Sequence, residues 1–458
     1  MGQNSPLSQL DGLLSVTPMD RLRSRNAPAR VAARRARQGA VSAVTPVVSP
    51  LARWLVRHVL RTGRFRWTRW LPLPPRPLGR RAAPPVWPPP SLETPDELRG
   101  VPGIRRNAAA EARAHRERPL HAFMLTHVEA AEHFLSHGWN YLLPALPRLL
   151  RGTARMLAVA ERSGAVEAAP PPRAAAEVSR LVRTEAARLG LSAVGFTGYD
   201  PHYTFAQYEH AEGEDNVIVC VLEQDWAATQ TAPSARAERA AFAAYNENLP
   251  KVTALAAFLQ RLGYRATPQD QEAHTVLIRY GVEAGLGQLG LNGQLLTPQA
   301  GSRCRLALIT TSAPLELGQP TDYGIEKLCD ACQLCVRRCP SGAIPKARRE
   351  HRGVVKAKIK PERCFPTMVR THGCAVCMKV CPVQRYGLEA VQRHFVATGG
   401  QILGKGTDEL EGYVWPLDGR FYGPGQKPRM SREVLNPPGW HFDKDRTEPP
   451  GWDAASTG

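Results

Sequence analysis

The chain has 458 residues and 43% of them are hydrophobic, which is enough for two or three domains with a sizeable buried core. It contains no uninterrupted apolar run of 18 residues, so a membrane-spanning helix is not expected. The net charge of +19 lies mostly in residues 1–90, where 16 arginines stand against two acidic residues, so the remaining chain lacks the strong basicity of a nucleic-acid-binding body.

The N-terminal part, residues 1–100, is predicted to be a basic, Pro- and Arg-rich extension that is largely disordered. Within it, residues 51–61 (LARWLVRHVLR) place arginines and apolar side chains on separate stripes of a helix. Such a helix either binds a membrane surface or an acidic partner, or packs on the body of the protein. Nine prolines between residues 72 and 90 predict a stiff, extended connector.

Residues 101–325 are predicted to form the main α/β or α+β body, because helical periodicity alternates with short apolar strands. Helices are predicted over residues 108–165, 173–190 and 234–263. Buried strands are predicted at LSAVGF (191–196), NVIVCVL (216–222) and RLALITT (305–311). After about residue 400 the chain is rich in Gly, Pro and Trp, so residues 391–458 are predicted to be an irregular tail packed on the body.

Residues 326–390 hold eight of the ten cysteines, and this concentration predicts metal ligation rather than a disulfide scaffold. The first motif, CDACQLCVRRCP, has the x2, x2, x3 spacing of bacterial ferredoxins, with a proline after the last cysteine. The second motif, CFPTMVRTHGCAVCMKVCP, ends in the same way but has nine residues between its first two cysteines. That long gap predicts a cluster-binding loop that also contacts another part of the protein.

In a two-cluster ferredoxin, the last cysteine of each motif binds the cluster of the other motif. This pattern assigns one [4Fe–4S] cluster to Cys329, Cys332, Cys335 and Cys381. It assigns the other cluster to Cys339, Cys364, Cys374 and Cys377. A pair of zinc sites is the alternative, but the fourfold spacing and the Cys-Pro endings argue against it. The two remaining cysteines, Cys220 and Cys304, lie in or beside apolar strands and are expected in the core.

The glycines Gly285, Gly287 and Gly290 match the pattern G-x-G-x-x-G. A nicotinamide site is not favoured here, because no acidic residue follows about 20 positions later to bind a ribose. The three glycines still allow the backbone to approach a different phosphate-bearing cofactor closely.

The order of VEAGLGQLGLNG, TPQAGSRCRL and the two cysteine motifs resembles the cobalamin-dependent reductive dehalogenases, which are related to epoxyqueuosine reductase. The resemblance covers about residues 173–390. It implies a nitroreductase-like body that binds base-off cobalamin, followed by a ferredoxin-like module with two [4Fe–4S] clusters. By the same resemblance, the glycine loop would contact the cobalamin.

The resemblance also implies a tyrosine that donates a proton and a basic residue beside it. By the order of segments, these are Tyr245 in AAFAAYNENL and Arg305 in GSRCRL. A phenol can protonate a developing carbanion, and a guanidinium stabilises the departing halide. The alternative is that Tyr245 is an ordinary core or surface tyrosine and that Arg305 pairs with a carboxylate at a strand edge.

The resemblance therefore implies that electrons from an external ferredoxin or flavodoxin pass through two clusters to cobalt, where an organohalide loses its halide. Two alternatives stay open: an epoxyqueuosine reductase-like enzyme acting on tRNA, which the basic N-terminus suits, and a non-catalytic two-cluster electron carrier. The chain starts without a secretory signal or a twin-arginine context. A cytoplasmic location is expected, with peripheral membrane association through residues 51–61 as an option.

Overall fold

The computed structural model describes residues 147–148, 151–166, 173–204, 213–269, 275–351 and 354–430. The predicted extension, including the helix at residues 51–61, lies outside these ranges, as does most of the helix predicted to begin at residue 108. Within the described ranges, no helix combines the length and the apolarity needed to cross a membrane.

The body contains five helices and six strands in the described residues. They are α1 (151–164), α2 (Ala175–Arg188), β1 (Ala193–Gly198), β2 (Asn216–Glu223), α3 (Trp226–Thr229), α4 (Ala235–Arg261), β3 (Ala266–Gln269), α5 (Leu277–Glu283), β4 (Gln288–Leu289), β5 (Leu295–Leu296) and β6 (Cys304–Thr311). The helices predicted around residues 173–190 and 234–263 and all three predicted strands are therefore confirmed, with shifts of one or two residues at their ends.

The main sheet has the strand order β1-β2-β6-β3, and every neighbouring pair is antiparallel. The body is therefore α+β, which is one of the two predicted alternatives. Strand β3 was not predicted. It is short and contains Pro268, and it occupies the sheet edge, where a residue without an N–H is tolerated.

Strands β2 and β6 lie at the centre of the sheet and are buried on both faces. On one face, Ile218, Cys220 and Ile309 pack against α2 and α4. On the other face, Val219 and Leu308 pack against the aromatic residues of the α5 region. This double burial explains why both strands read as continuous apolar runs instead of alternating patterns. It also confirms that Cys220 is a core residue, with none of its surface exposed.

Helix α4 is 27 residues long and has signals for its ends in the sequence. The Ser234 hydroxyl accepts a hydrogen bond from the Ala237 N–H at 3.1 Å, which caps the N-terminus. Gly263 follows the C-cap with a φ of +90°, a conformation that glycine adopts without strain. The predicted end of this helix at Gly263 is therefore confirmed, and the helix carries Tyr245 across the sheet.

The cysteine-rich region folds as short helices and a small hairpin. Its elements are α6 (Ile325–Cys332), α7 (Leu334–Arg338), β7 (Arg349–His351), β8 (Val354–Lys356), α8 (Pro361–Arg370), α9 (Val376–Lys379) and α10 (Pro382–Tyr386). The chain continues with α11 (Leu388–Ala397), α12 (Asp408–Glu411), β9 (Tyr413–Val414) and β10 (Phe421–Tyr422). Here Leu410, Tyr413 and Trp415 pack against Leu334 and Val376 of the cysteine-bearing helices.

A buried carboxyl group joins α1 to the sheet. Glu214 is 1% exposed and accepts hydrogen bonds from Ser163 at 2.5 Å, from Thr267 at 2.8 Å and from Thr310. Burial raises its pKa above 4.5, although the three hydroxyl donors act in the opposite direction. Its contribution to stability is therefore full at low pH and falls as the pH rises through the elevated pKa, because the buried side chain must then ionise.

We expect Glu214→Ala to lower the free energy of unfolding by about 1–3 kcal/mol, because three buried hydroxyls lose their acceptor. Glu214→Gln should remove the decline in stability between about pH 4.5 and neutral pH, since an amide does not titrate. Urea denaturation midpoints across that pH range measure both effects. As a control, Glu316→Gln alters an exposed pair with Arg183 and should change stability by less than about 0.5 kcal/mol. A Glu214→Gln variant with the wild-type pH slope would contradict the assignment.

Candidate iron–sulfur and active sites

The first cysteine motif forms two short helices joined by a single left-handed residue. Cys329 and Cys332 lie in α6, Cys335 lies in α7, and Cys339 follows the end of α7. Gln333, with a φ of +55°, turns the chain between the helices. On one continuous helix, the three cysteines would point in different directions. The turn at Gln333 instead lets their side chains meet in one region.

One cavity in this region is lined by four of the predicted ligands: Cys329, Cys332, Cys335 and Cys381. The remaining walls are largely apolar and include Leu291, Leu296 and Val383. Four thiols around one cavity are the donor set that a [4Fe–4S] cluster requires, so the residues present fit the group. Within the described part of the chain, no group of three or more His, Cys, Asp or Glu side chains is arranged to hold a single metal ion.

The other four cysteines also lie together. The pKa of Cys377 is raised well above its usual value, first by burial and then by the sulfurs of Cys364, Cys374 and Cys339. The pKa of Cys374 is raised to about 12, chiefly by burial and in part by the Cys339 sulfur. Cys339, the last cysteine of the first motif, is therefore a neighbour of the second motif, as the ferredoxin pattern predicts.

These sulfurs need a positively charged partner before they can ionise, because their pKa values are raised. Burial raises the pKa of Cys332 to about 11 and that of Cys381 to about 12, so without metal the thiols stay protonated at neutral pH. Iron favours the thiolate form by supplying positive charge. Backbone N–H groups donate to five of the sulfurs in the described ranges: Leu291 to Cys329, Leu334 to Cys332, Ala343 to Cys339, Val376 to Cys374 and Gln384 to Cys381. Such hydrogen bonds stabilise negative charge on a ligand and tune cluster potentials.

The loop between Cys364 and Cys374 contacts another part of the protein, as its length predicted. The Nδ1 atom of His372 lies 3.6 Å from the Oε2 atom of Glu238 in α4, and the Glu238 side chain also packs over Gly373. Glu238 is 4% exposed in its side chain. The loop before Cys374 therefore rests on the same helix that carries Tyr245, two turns further along.

The structure brings Tyr245 and Arg305 together, although 60 residues separate them in sequence. The Arg305 guanidinium carbon lies 4.9 Å from the centroid of the Tyr245 ring, in a cation–π contact. Tyr245 is half-buried in the middle of α4, and Arg305 stands near the start of β6. A phenol beside a fixed positive charge can donate a proton while the charge stabilises the phenolate that remains.

Sequence reasoning missed the residue that holds Arg305 in place. Gln224 is 3% exposed and lies just after β2. Its Oε1 accepts a hydrogen bond from the Arg305 Nη2 at 2.6 Å, and its backbone exchanges bonds with Arg303. Only the antiparallel pairing of β2 with β6 brings Gln224 opposite Arg303, so no local signal marks it.

Two buried polar atoms near this pair have no hydrogen-bond partner among the described residues. They are the Nε atom of Arg305 and the Oδ1 atom of Asn248. Asn248 lies three residues after Tyr245, and residues at this spacing neighbour each other on a helix. Unpaired buried polar atoms cost about 1–3 kcal/mol each, so a polar group bound beside Tyr245 would fit this site.

The three predicted cofactor glycines have clear contacts within the protein. Gly285 has a φ of +70° and ends α5. A Cβ on Gly287 would lie 2.2 Å from the Leu296 carbonyl oxygen, and one on Gly290 would meet the Leu296 side chain at 2.8 Å. The motif follows a helix and not a strand, which is unlike a dinucleotide-binding turn. These contacts account for the glycines without a ligand, and their assignment to cobalamin stays a prediction.

Residues 328–385 match the family description "4Fe-4S dicluster domain". Over 222 residues, covering 44% of this chain and 40% of the relative, the chain is 30% identical to a tetrachloroethene reductive dehalogenase of Desulfitobacterium hafniense. It is 32% identical to the enzyme of the same name from Sulfurospirillum multivorans over 177 residues, covering 37% of this chain and 35% of the relative.

An epoxyqueuosine reductase of a Synechococcus species is 32% identical over 133 residues, covering 28% of this chain and 40% of the relative. Among solved structures, the catabolic reductive dehalogenase NpRdhA aligns with a TM-score of 0.48 and 21% identity, covering 62% of this chain and 47% of that protein. The chain thus covers less than half the length of the curated relatives named here.

The resemblance inferred from the sequence motifs is confirmed by these alignments. The aligned relatives include both reductive dehalogenases and epoxyqueuosine reductases, in agreement with the relationship expected between them. The chain is a relative of the reductive dehalogenases and carries a 4Fe–4S dicluster domain at residues 328–385.

Proposed function

We propose that this protein is an iron–sulfur, cobalamin-dependent oxidoreductase that removes halide from an organohalide. The observation that carries the proposal is the grouping of eight cysteines into two sets of four, together with the contact of the loop before Cys374 with the helix that presents Tyr245 to Arg305. The similarity to tetrachloroethene reductive dehalogenases supports the same reaction class. Tyr245 and Arg305 carry the chemistry of the reaction, and other parts of the site select the organohalide.

In this proposal, one cluster is bound by Cys329, Cys332, Cys335 and Cys381, and the other by Cys339, Cys364, Cys374 and Cys377. The shared cavity supports the first group, and the mutual electrostatic effects of the sulfurs support the second. Cobalamin, when bound in base-off form, would supply a strongly reducing cobalt centre that accepts these electrons. The glycine loop stays the predicted contact for it.

The overall reaction consumes two electrons and one proton: R–X + 2 e⁻ + H⁺ gives R–H + X⁻. We assign the proton to the Tyr245 hydroxyl, which gives it to the carbon that loses the halide. Arg305 then has two roles, to stabilise the tyrosinate that remains and to attract the halide anion. Gln224 keeps the guanidinium in position through its 2.6 Å hydrogen bond. Solvent returns the proton to Tyr245 between turnovers.

The proposed function also implies how the chain divides into domains. We propose residues 101–325 as the cobalamin-binding body, residues 326–390 as the two-cluster domain and residues 391–458 as a packed C-terminal segment. The basic extension, residues 1–100, is assigned no catalytic role. An external ferredoxin or flavodoxin is proposed as the electron donor, in the cytoplasm.

Anaerobic reconstitution with iron, sulfide and hydroxocobalamin tests the cofactors. We expect about eight irons per chain, because each [4Fe–4S] cluster contains four, together with the EPR signal of base-off cob(II)alamin. Cys381→Ser should lower the iron content to about four by removing one ligand of the first cluster. Cys220→Ala changes a buried cysteine outside both groups and should keep about eight. Eight irons without bound corrinoid would leave only the electron-carrier alternative.

Replacement of Tyr245 by Phe tests the proton donor. Halide release should fall by about 100-fold or more, while iron and corrinoid contents stay at wild-type values. Tyr264→Phe is a matched control, because the Tyr264 hydroxyl is buried with no hydrogen-bond partner in the described ranges. Retained halide release in Tyr245→Phe would remove this residue from the mechanism.

The specific observation that favours a second function is the 32% identity to an epoxyqueuosine reductase. Under that alternative, the basic N-terminal residues would bind tRNA, and the affinity would fall steeply with salt. We expect the full chain to bind tRNA only weakly at 0.15 M salt and to release halide without it. Tight, salt-sensitive tRNA binding that is lost when residues 1–90 are deleted, with conversion of epoxyqueuosine in tRNA, would favour the alternative instead.

A further inference from the structure

The cavity of the first cysteine group reaches the surface beside Gln333. Apart from the four cysteines, Gln333 is the one lining residue that is not buried. Gln333 is next to Cys332 and takes the left-handed conformation that joins α6 to α7. The surface at Cys332 and Gln333 is therefore a point where solvent lies next to this cavity.

Three exposed cationic residues are joined by hydrogen bonds to residues that line this cavity. The Arg337 N–H donates to the Gln333 carbonyl at 3.0 Å, and the Gln333 side-chain amide donates to the Lys346 carbonyl at 3.3 Å. Lys405 lies on a tight turn closed by a 3.1 Å hydrogen bond from its N–H to the carbonyl of Ile402, which also lines the cavity. Arg337, Lys346 and Lys405 form what we call the Cys332 surface.

The positive charge of the Cys332 surface is not neutralised locally. Among the described residues, none of its three cations forms an ion pair, and three of the neighbouring acids pair with other arginines. Arg348 pairs with Glu326 and Asp330, and Arg385 pairs with Glu409.

We propose that the Cys332 surface is the docking site for an acidic electron-carrier protein that delivers electrons to the first cluster. This inference rests on the proposed function, since it requires a cluster at Cys329, Cys332, Cys335 and Cys381. Unpaired cations around a redox centre attract a negatively charged partner and raise its association rate. They also place the partner where its cofactor is nearest to the buried cluster.

The electron transfer is a balanced one-electron step. With flavodoxin as the carrier, the anionic flavin hydroquinone gives one electron to a [4Fe–4S]²⁺ cluster. The products are the neutral flavin semiquinone and a [4Fe–4S]⁺ cluster, and no proton needs to move. Two such encounters supply the two electrons that one dehalogenation consumes.

The test measures electron transfer directly and does not depend on halide release. Reconstituted full-length protein is mixed anaerobically with flavodoxin hydroquinone, and the formation of semiquinone is followed by stopped flow. We expect Arg337→Glu/Lys405→Glu to slow the second-order rate by about tenfold or more at low salt, because steering becomes repulsion. Arg337→Gln/Lys405→Gln should give an intermediate rate. The wild-type rate should fall with increasing salt, and the charge-reversed variant should lose that dependence.

Two controls separate docking from damage. Arg180→Glu reverses an exposed charge on α2, which packs on the opposite part of the body, and should leave the rate unchanged. Reduced methyl viologen, a small cation, should reduce the clusters of every variant as fast as those of the wild type. Equal slowing by Arg180→Glu, or an unchanged flavodoxin rate in the charge-reversed variant, would overturn the proposal. Clusters that accept electrons without any halide release would count against the proposed reaction and not against this surface.

Discussion

Eight thiols crowd into one small domain, and their mutual repulsion as thiolates governs the structure around them. Burial and mutual proximity raise the pKa values of Cys332, Cys374 and Cys381 to about 11–12. Thiolates in such an environment repel one another and lack solvation, so only positively charged iron makes their ionised form favourable. The free energy of cluster binding is then part of the folding free energy of the domain.

The local backbone is shaped to serve the same sulfurs. Gln333, Cys374 and Ala375 all have positive φ values, which cost non-glycine residues about 1–3 kcal/mol each. In return, the following amides can point at cysteine sulfurs, as Leu334 and Val376 do. The short helices of this domain therefore follow from ligand geometry more than from helix propensity.

The segment that follows the cysteines is fixed by buried cations. Lys379 is 3% exposed and donates from Nζ to the carbonyls of Glu409 and Leu410 at 2.9 and 2.8 Å. Burial lowers its pKa to about 7, so these bonds satisfy a group that is costly to keep charged there. Arg338 donates to the Glu411 carbonyl and stacks on Tyr413. Residues 407–415 are therefore an integral layer of the cysteine-rich region and not a loose tail.

Local patterns of residues were enough to predict several features of this protein. Cysteine spacing gave the dicluster domain, apolar runs gave the central strands, and Gly263 marked the end of α4. It left the parallel or antiparallel direction of the sheet open and did not reveal β3, because strand pairing and edge position are not local properties. The contact of His372 with Glu238 and the hydrogen bond by which Gln224 holds Arg305 beside Tyr245 became visible only in the folded chain. Those contacts join residues far apart in the chain, so they depend on how the sheet, α4 and the cysteine-rich domain pack together.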